Sequence, residues 1–73
     1  MNKEKLEYLK RSIKLTRLAE LAGLKHPTEL HRIIKRTQAT DYQTARKLAD
    51  LANKMSLRAN YYTADDFYYK EEE

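Results

Sequence analysis

Cysteine and tryptophan are absent from this chain, and glycine and proline occur once each, at Gly23 and Pro27. Without cysteine, neither a disulfide nor a thiolate-ligated zinc can reinforce the fold. That matters at 73 residues, which is near the lower limit for a self-sufficient hydrophobic core. A compact helical fold or a dimer must supply the stability. Scarce glycine and proline, with many Leu, Ala, Lys and Glu residues, argue for an all-α chain. No apolar run approaches the roughly 18 residues of a membrane span, and the N-terminus lacks the apolar core of a signal peptide. The expectation is a cytoplasmic protein with one domain over residues 1–70. Residues 71–73, three glutamates, are expected to form a frayed acidic tail.

The inventory for catalysis is also thin. His26 and His31 lie five apart, so a helix does not bring them to one face as a spacing of about three or four would. There is no glycine-rich phosphate loop and no nucleophile elbow. Ser12 and Ser56 have no evident base and orienting acid beside them. Neither an enzyme nor a metal protein is expected, and no cofactor is implied.

What the chain does have is positive charge, unevenly spread. Residues 1–58 carry fourteen Lys and Arg against six Asp and Glu, a balance of +8. Residues 59–73 carry one Lys against five acids, a balance of −4. The basic part attracts a polyanion, which would repel the acidic end. The acidic end is therefore expected on the far side of the molecule.

Apolar periodicity divides the chain into five helical segments. The first, about residues 2–11, places Leu6, Leu9 and Ile13 on one side of a charged helix. The second, about 15–22, buries Leu15, Leu18, Ala19 and Ala22. Gly23 ends it, because glycine adopts the positive φ of a helix stop without strain. The third begins near Pro27, where a missing N–H is harmless, and Glu29 complements the dipole. Its inner face is Leu30, Ile33 and Ile34. The fourth opens on Thr40 and Gln43, the spacing of a capping box. It keeps a helical period through Tyr42, Ala45, Leu48, Ala49, Ala52 and Met55. The fifth, capped by Thr63 with Asp65 and Asp66 in its first turn, runs to Tyr69. The alternative is a short β-hairpin, with residues 60–62 and 67–69 as two strands around a turn.

Residues 15–55 resemble the helix-turn-helix of phage repressor and Cro-type regulators, the λ-repressor-like family. The likeness rests on Leu18 and Ala19, the spacing from Ala19 to Gly23, Leu24 after the glycine, and the inward pair Leu30 and Ile33. It extends to the amphipathic stretch ending at Ala52, and Thr63 to Phe67 look like the short final helix of many such regulators. The resemblance implies a compact four- to five-helix domain whose third helix enters the major groove. Physically, Ala19 lets two helices cross closely, Gly23 permits the sharp turn, and Leu24, Leu30 and Ile33 fix the angle. Leu30 lies seven residues beyond Gly23, so the turn is one residue longer than the family's usual one.

Carried over to this chain, the resemblance implies base contacts from His26, Thr28, Glu29, Arg32 and Arg36. Arg17, Lys25, His31, Lys35, Thr37, Gln38 and Thr40 would hold phosphates, which fix register without reading sequence. The aromatic end supplies Tyr61, Tyr62, Phe67, Tyr68 and Tyr69; Phe67 with one or two tyrosines would close a thin core, but together they are more than so small a core is expected to hide. A dimerisation surface is expected there. Together these imply a sequence-specific regulator, binding double-stranded DNA at a near-palindromic operator as a homodimer and acting by occlusion. Two alternatives stand beside it: a DNA-binding antitoxin whose partner is a toxin, and an excisionase-like architectural protein.

Overall fold

The computed structural model describes residues 3–70. It is all-helical, with α1 (Lys3–Ser12), α2 (Leu15–Leu21), α3 (Pro27–Ile34), α4 (Tyr42–Ser56) and α5 (Ala64–Phe67). The expected tail at 71–73 and residue 2 lie outside the described residues. No strand occurs among them, only an isolated antiparallel bridge between Thr40 and Tyr69. The C-terminal segment is thus a helix rather than a hairpin, and it stops at Phe67 instead of Tyr69. Thr63 and Asp66 form its capping box, each side chain bonded to the other's backbone N–H, which secures a helix of only four residues.

Three helices stop in the same way. After α2, the Gly23 N–H donates to the Glu20 carbonyl at 3.1 Å and the Leu24 N–H to that of Ala19 at 3.0 Å. After α3, Arg36 donates to Ile33 at 3.2 Å and Thr37 to Arg32 at 2.9 Å. After α4, Leu57 donates to Lys54 at 3.3 Å and Arg58 to Asn53 at 2.9 Å. Each is a Schellman motif, which needs one left-handed residue to satisfy the last carbonyls. Gly23 supplies it at φ 81°, Arg36 at 63° and Leu57 at 58°. For a residue with a side chain that backbone costs about 1–2 kcal/mol. One glycine serves three stops, so two of them are strained.

The core is built around α4, which packs against α1, α2 and α5, while α3 packs against α2 and α5. Ala45, Ala49 and Ala52 are all buried on α4, and their small side chains let neighbouring helices come close. Tyr62 and Phe67, both fully buried, join the same core cluster as these alanines, alongside Leu9, Leu18, Leu30, Ile33 and Leu48. Burial of this apolar set stabilises the fold by roughly 1.5–3 kcal/mol for each large side chain. Ile13 belongs to the core although it lies beyond the end of α1. Leu6 is only half-buried.

Two expectations at the start of α4 are overturned. The N-cap is Asp41, whose side chain makes no capping hydrogen bond, and not Thr40. Thr40 is drawn into the bridge, its N–H donating to the Tyr69 carbonyl at 2.8 Å. Its hydroxyl is buried without a partner. Tyr42, read as an inward position, is instead 55% exposed. With the helix starting at Tyr42 itself, this first position lies outside the packed turns.

Asn53 ties the α4–α5 connection to α4. Its side-chain amide donates to the Tyr62 carbonyl at 3.0 Å and accepts from the Tyr62 N–H at 2.8 Å. Lys5 on α1 reaches Asp66 on α5 at 3.1 Å. The Arg58 guanidinium lies 4.5 Å from the centre of the Tyr8 ring and 4.9 Å from that of Tyr61, a cation–π arrangement. Hydrogen bonds from Ser12 and Arg58 pull the Tyr8 hydroxyl below its ordinary pKa.

Candidate nucleic-acid interface

α3 carries opposite characters on opposite sides. Leu30 and Ile33 are buried and Ile34 half-buried, all turned to the core. At about 100° per residue, Thr28, His31, Arg32 and Lys35 fall together on the other side, and all four are exposed. Among the described residues no hydrogen bond or ion pair engages these four side chains. They form one stripe of hydrogen-bonding groups and two fixed cations on a helix whose other side is anchored.

The turn before α3 is also polar and exposed. His26 is the N-cap, and Pro27 occupies the first turn. Glu29 reaches back to accept from the Lys25 N–H at 3.1 Å, closing the turn much as a capping box does. Expected as a base contact, Glu29 is half-buried and engaged within its own chain. Lys25 is exposed. Arg17 on α2 is exposed too, and pairs loosely with Glu20 at 3.4 Å.

Beyond α3 the expected contacts divide. Thr37 is exposed, its hydroxyl donating to the Arg32 carbonyl at 3.3 Å, and Gln38 is half-buried. Thr40 is corrected: at 7% exposure, with its hydroxyl enclosed, it cannot touch a phosphate. Arg36, expected among the base contacts, is turned onto the C-terminal segment instead. It donates to the carbonyls of Tyr68 and, at 3.3 Å, Asp65. The stripe on α3 therefore gains His31 and Lys35 and does without Glu29 and Arg36. Sequence alone had the signal for that regrouping, since Thr28, His31, Arg32 and Lys35 sit at i, i+3, i+4 and i+7.

The described part of the acidic end, with Asp65 and Asp66, lies beside α3 and not on the far side, while residues 71–73 lie outside the described residues. Tyr69 pairs with Thr40, α5 packs against α3, and Arg36 grips the backbone of residues 65 and 68. The segment therefore runs beside the connection that leaves α3. One main-chain hydrogen bond, Thr40 N–H to the Tyr69 carbonyl, and two from the Arg36 side chain hold it there.

Of the five aromatics expected at a dimer surface, the core takes two. Tyr62, at 2% exposure, and Phe67, at 0%, are core residues and cannot form a dimer surface. Tyr61 stands edge-on to Tyr8 with ring centres 5.5 Å apart, and Tyr68 edge-on to Tyr42 at 5.8 Å. Tyr61, Tyr68 and Tyr69 are each half-buried.

Among the described residues, no group of three or more His, Asp or Glu side chains is placed to hold a metal ion. No described helix is long and apolar enough to cross a membrane. Comparison with protein-family models, with curated proteins and with solved structures returned no match.

Proposed function

We propose that this chain binds double-stranded DNA sequence-specifically, as a small cytoplasmic transcriptional regulator of the phage repressor and Cro type. The observation that carries the reading is the free stripe of Thr28, His31, Arg32 and Lys35 on α3. A helix about 10–12 Å across with its side chains suits a major groove about 12 Å wide. Arg32 reads guanine through a bidentate contact, and Thr28 meets a thymine methyl or a polar base edge. His31 shares that stripe, and His26 flanks it at the entrance to the helix. Lys25, Lys35, Arg17, Thr37 and Gln38 hold the backbone on either side. One copy presents one such helix, so a near-palindromic operator takes two, with half-sites about 34–36 Å apart. Occlusion of a promoter is then the mode of action.

The reading is tested by titrating duplex DNA at several salt concentrations. With about three to five phosphates neutralised, log affinity falls against log salt with a slope of about −2.7 to −4.5. A flat response excludes backbone contact. Arg32→Ala is expected to relax preference at one base position, at about 1–3 kcal/mol. An equal loss on every sequence makes Arg32 a phosphate contact.

A further inference from the structure

Arg36 stands where a glycine would be unstrained. It takes the left-handed position after α3 at φ 63°, the place that Gly23 fills after α2. What arginine adds there is its side chain. One guanidinium nitrogen donates to the Tyr68 carbonyl and another to that of Asp65 at 3.3 Å. Its carbon lies 5.9 Å from the centre of the Tyr69 ring. Four residues later, the Thr40 N–H donates to the Tyr69 carbonyl at 2.8 Å. Both ends of the connection from residue 36 to residue 40 are thus tied to one strap, residues 65–69. The strap is itself fixed by the capping box of Thr63 and Asp66 and by the Lys5 ion pair.

We propose that Arg36 is a positioning residue for DNA recognition: it clamps the end of α3 to the 65–69 strap and so sets the tilt at which Thr28, His31, Arg32 and Lys35 meet the groove. The inference rests on reading α3 as the recognition helix. α3 is held at its start by the Gly23 turn and at its end by this clamp. Releasing one end of a helix about 12 Å long by about 10° moves the other by about 2 Å. A hydrogen bond tolerates only about 0.5 Å. The forked guanidinium reaches two carbonyls at once, which the point charge of a lysine does not reproduce.

The test compares wild type, Arg36→Gly and Arg36→Lys on the best duplex recovered from a random pool, on its single-base-pair variants across one half-site, and on a scrambled version. Glycine relieves the left-handed backbone, so Arg36→Gly stays folded while losing the clamp; its melting temperature is checked in parallel. Arg36→Lys keeps the charge. The expected result is a loss of at least about tenfold, equivalent to about 1.4 kcal/mol, in preference for the selected duplex with both variants. That loss is spread over the half-site, and the salt slope of Arg36→Lys is unchanged. Three results overturn the proposal. Rescue by lysine, with a slope about 0.9 smaller for glycine, makes Arg36 a phosphate contact. Loss confined to one base pair makes it a base reader. Unchanged preference makes it a structural residue only. Should wild type itself select no duplex, the recognition reading fails first, before any variant is compared, and the clamp has nothing to position.

Discussion

Left-handed backbone sits easily on Gly23 and awkwardly on Leu57. Leu57 is 93% exposed, so its side chain gains nothing from the core in return for the strained φ. Leu57→Gly should therefore stabilise the fold. Relief of about 1–2 kcal/mol is partly offset by the extra freedom glycine gives the unfolded chain, leaving about 0.5–1 kcal/mol. For a domain of this size that raises Tm by roughly 2–8 °C, measurable by thermal circular dichroism. A lower Tm would mean that Leu57 has a partner in solution. Tyr62 is a second residue in conflict with its surroundings, because its hydroxyl is buried without a hydrogen-bond partner. Burial pushes its pKa up from 10 to about 12. The unfolded chain ionises first, so stability is full below pH 10 and falls as pH rises through about 12. Tyr62→Phe should gain about 1–2 kcal/mol near neutral pH by removing the unpartnered group. It should also flatten the alkaline part of a stability–pH curve. An unaltered alkaline decline would place its origin in another group.

Among the elements, α4 organises the rest, and Asn53 joins it to the segment that carries Tyr62. Asn53→Ala removes two hydrogen bonds and strands a partly buried N–H and C=O, at a cost of about 2 kcal/mol. Urea unfolding should show a lower midpoint with the slope unchanged. An unchanged midpoint would mean water replaces both bonds. The same elements explain what the sequence made legible. Gly23 and Pro27 are strong local signals, and they bracket the turn between α2 and α3 correctly. The inward sets of α2, α3 and α4 follow from period alone, apart from the first position, Tyr42. The stops at Arg36 and Leu57 were not legible, because neither residue advertises a left-handed backbone. Thr40 looked like a helix cap because the Thr-to-Gln spacing is a local rule. Its actual partner, Tyr69, is remote in sequence and emerges only from tertiary packing. Which of the aromatics close the core was not legible for the same reason: Tyr62 and Phe67 are buried only once the helices are assembled. At the candidate interface the residue types were legible, and their grouping on α3 followed once the turn was fixed. The contacts of Arg36 were not legible, because they come from the other end of the chain.

At the scale of the whole molecule, charge and shape point in one direction. The described chain measures about 37 × 23 × 20 Å, comparable in its long dimension to one turn of B-DNA, about 34–36 Å. On the proposed reading, a single copy would cover one half-site and leave the other for a second copy. The net charge of +4 understates the attraction, because the basic surplus lies in the first 58 residues. Segment 65–69 closes against the connection after α3 and holds it through the carbonyls of Asp65, Tyr68 and Tyr69. All of this depends on whether α3 reads DNA. Selection of the full chain on a random duplex pool, followed by sequencing of what is retained, decides that. An inverted repeat with half-sites about one helical turn apart is the expected result. Retention without any common motif would replace specific regulation with architectural binding, and no retention at low salt would contradict DNA binding altogether.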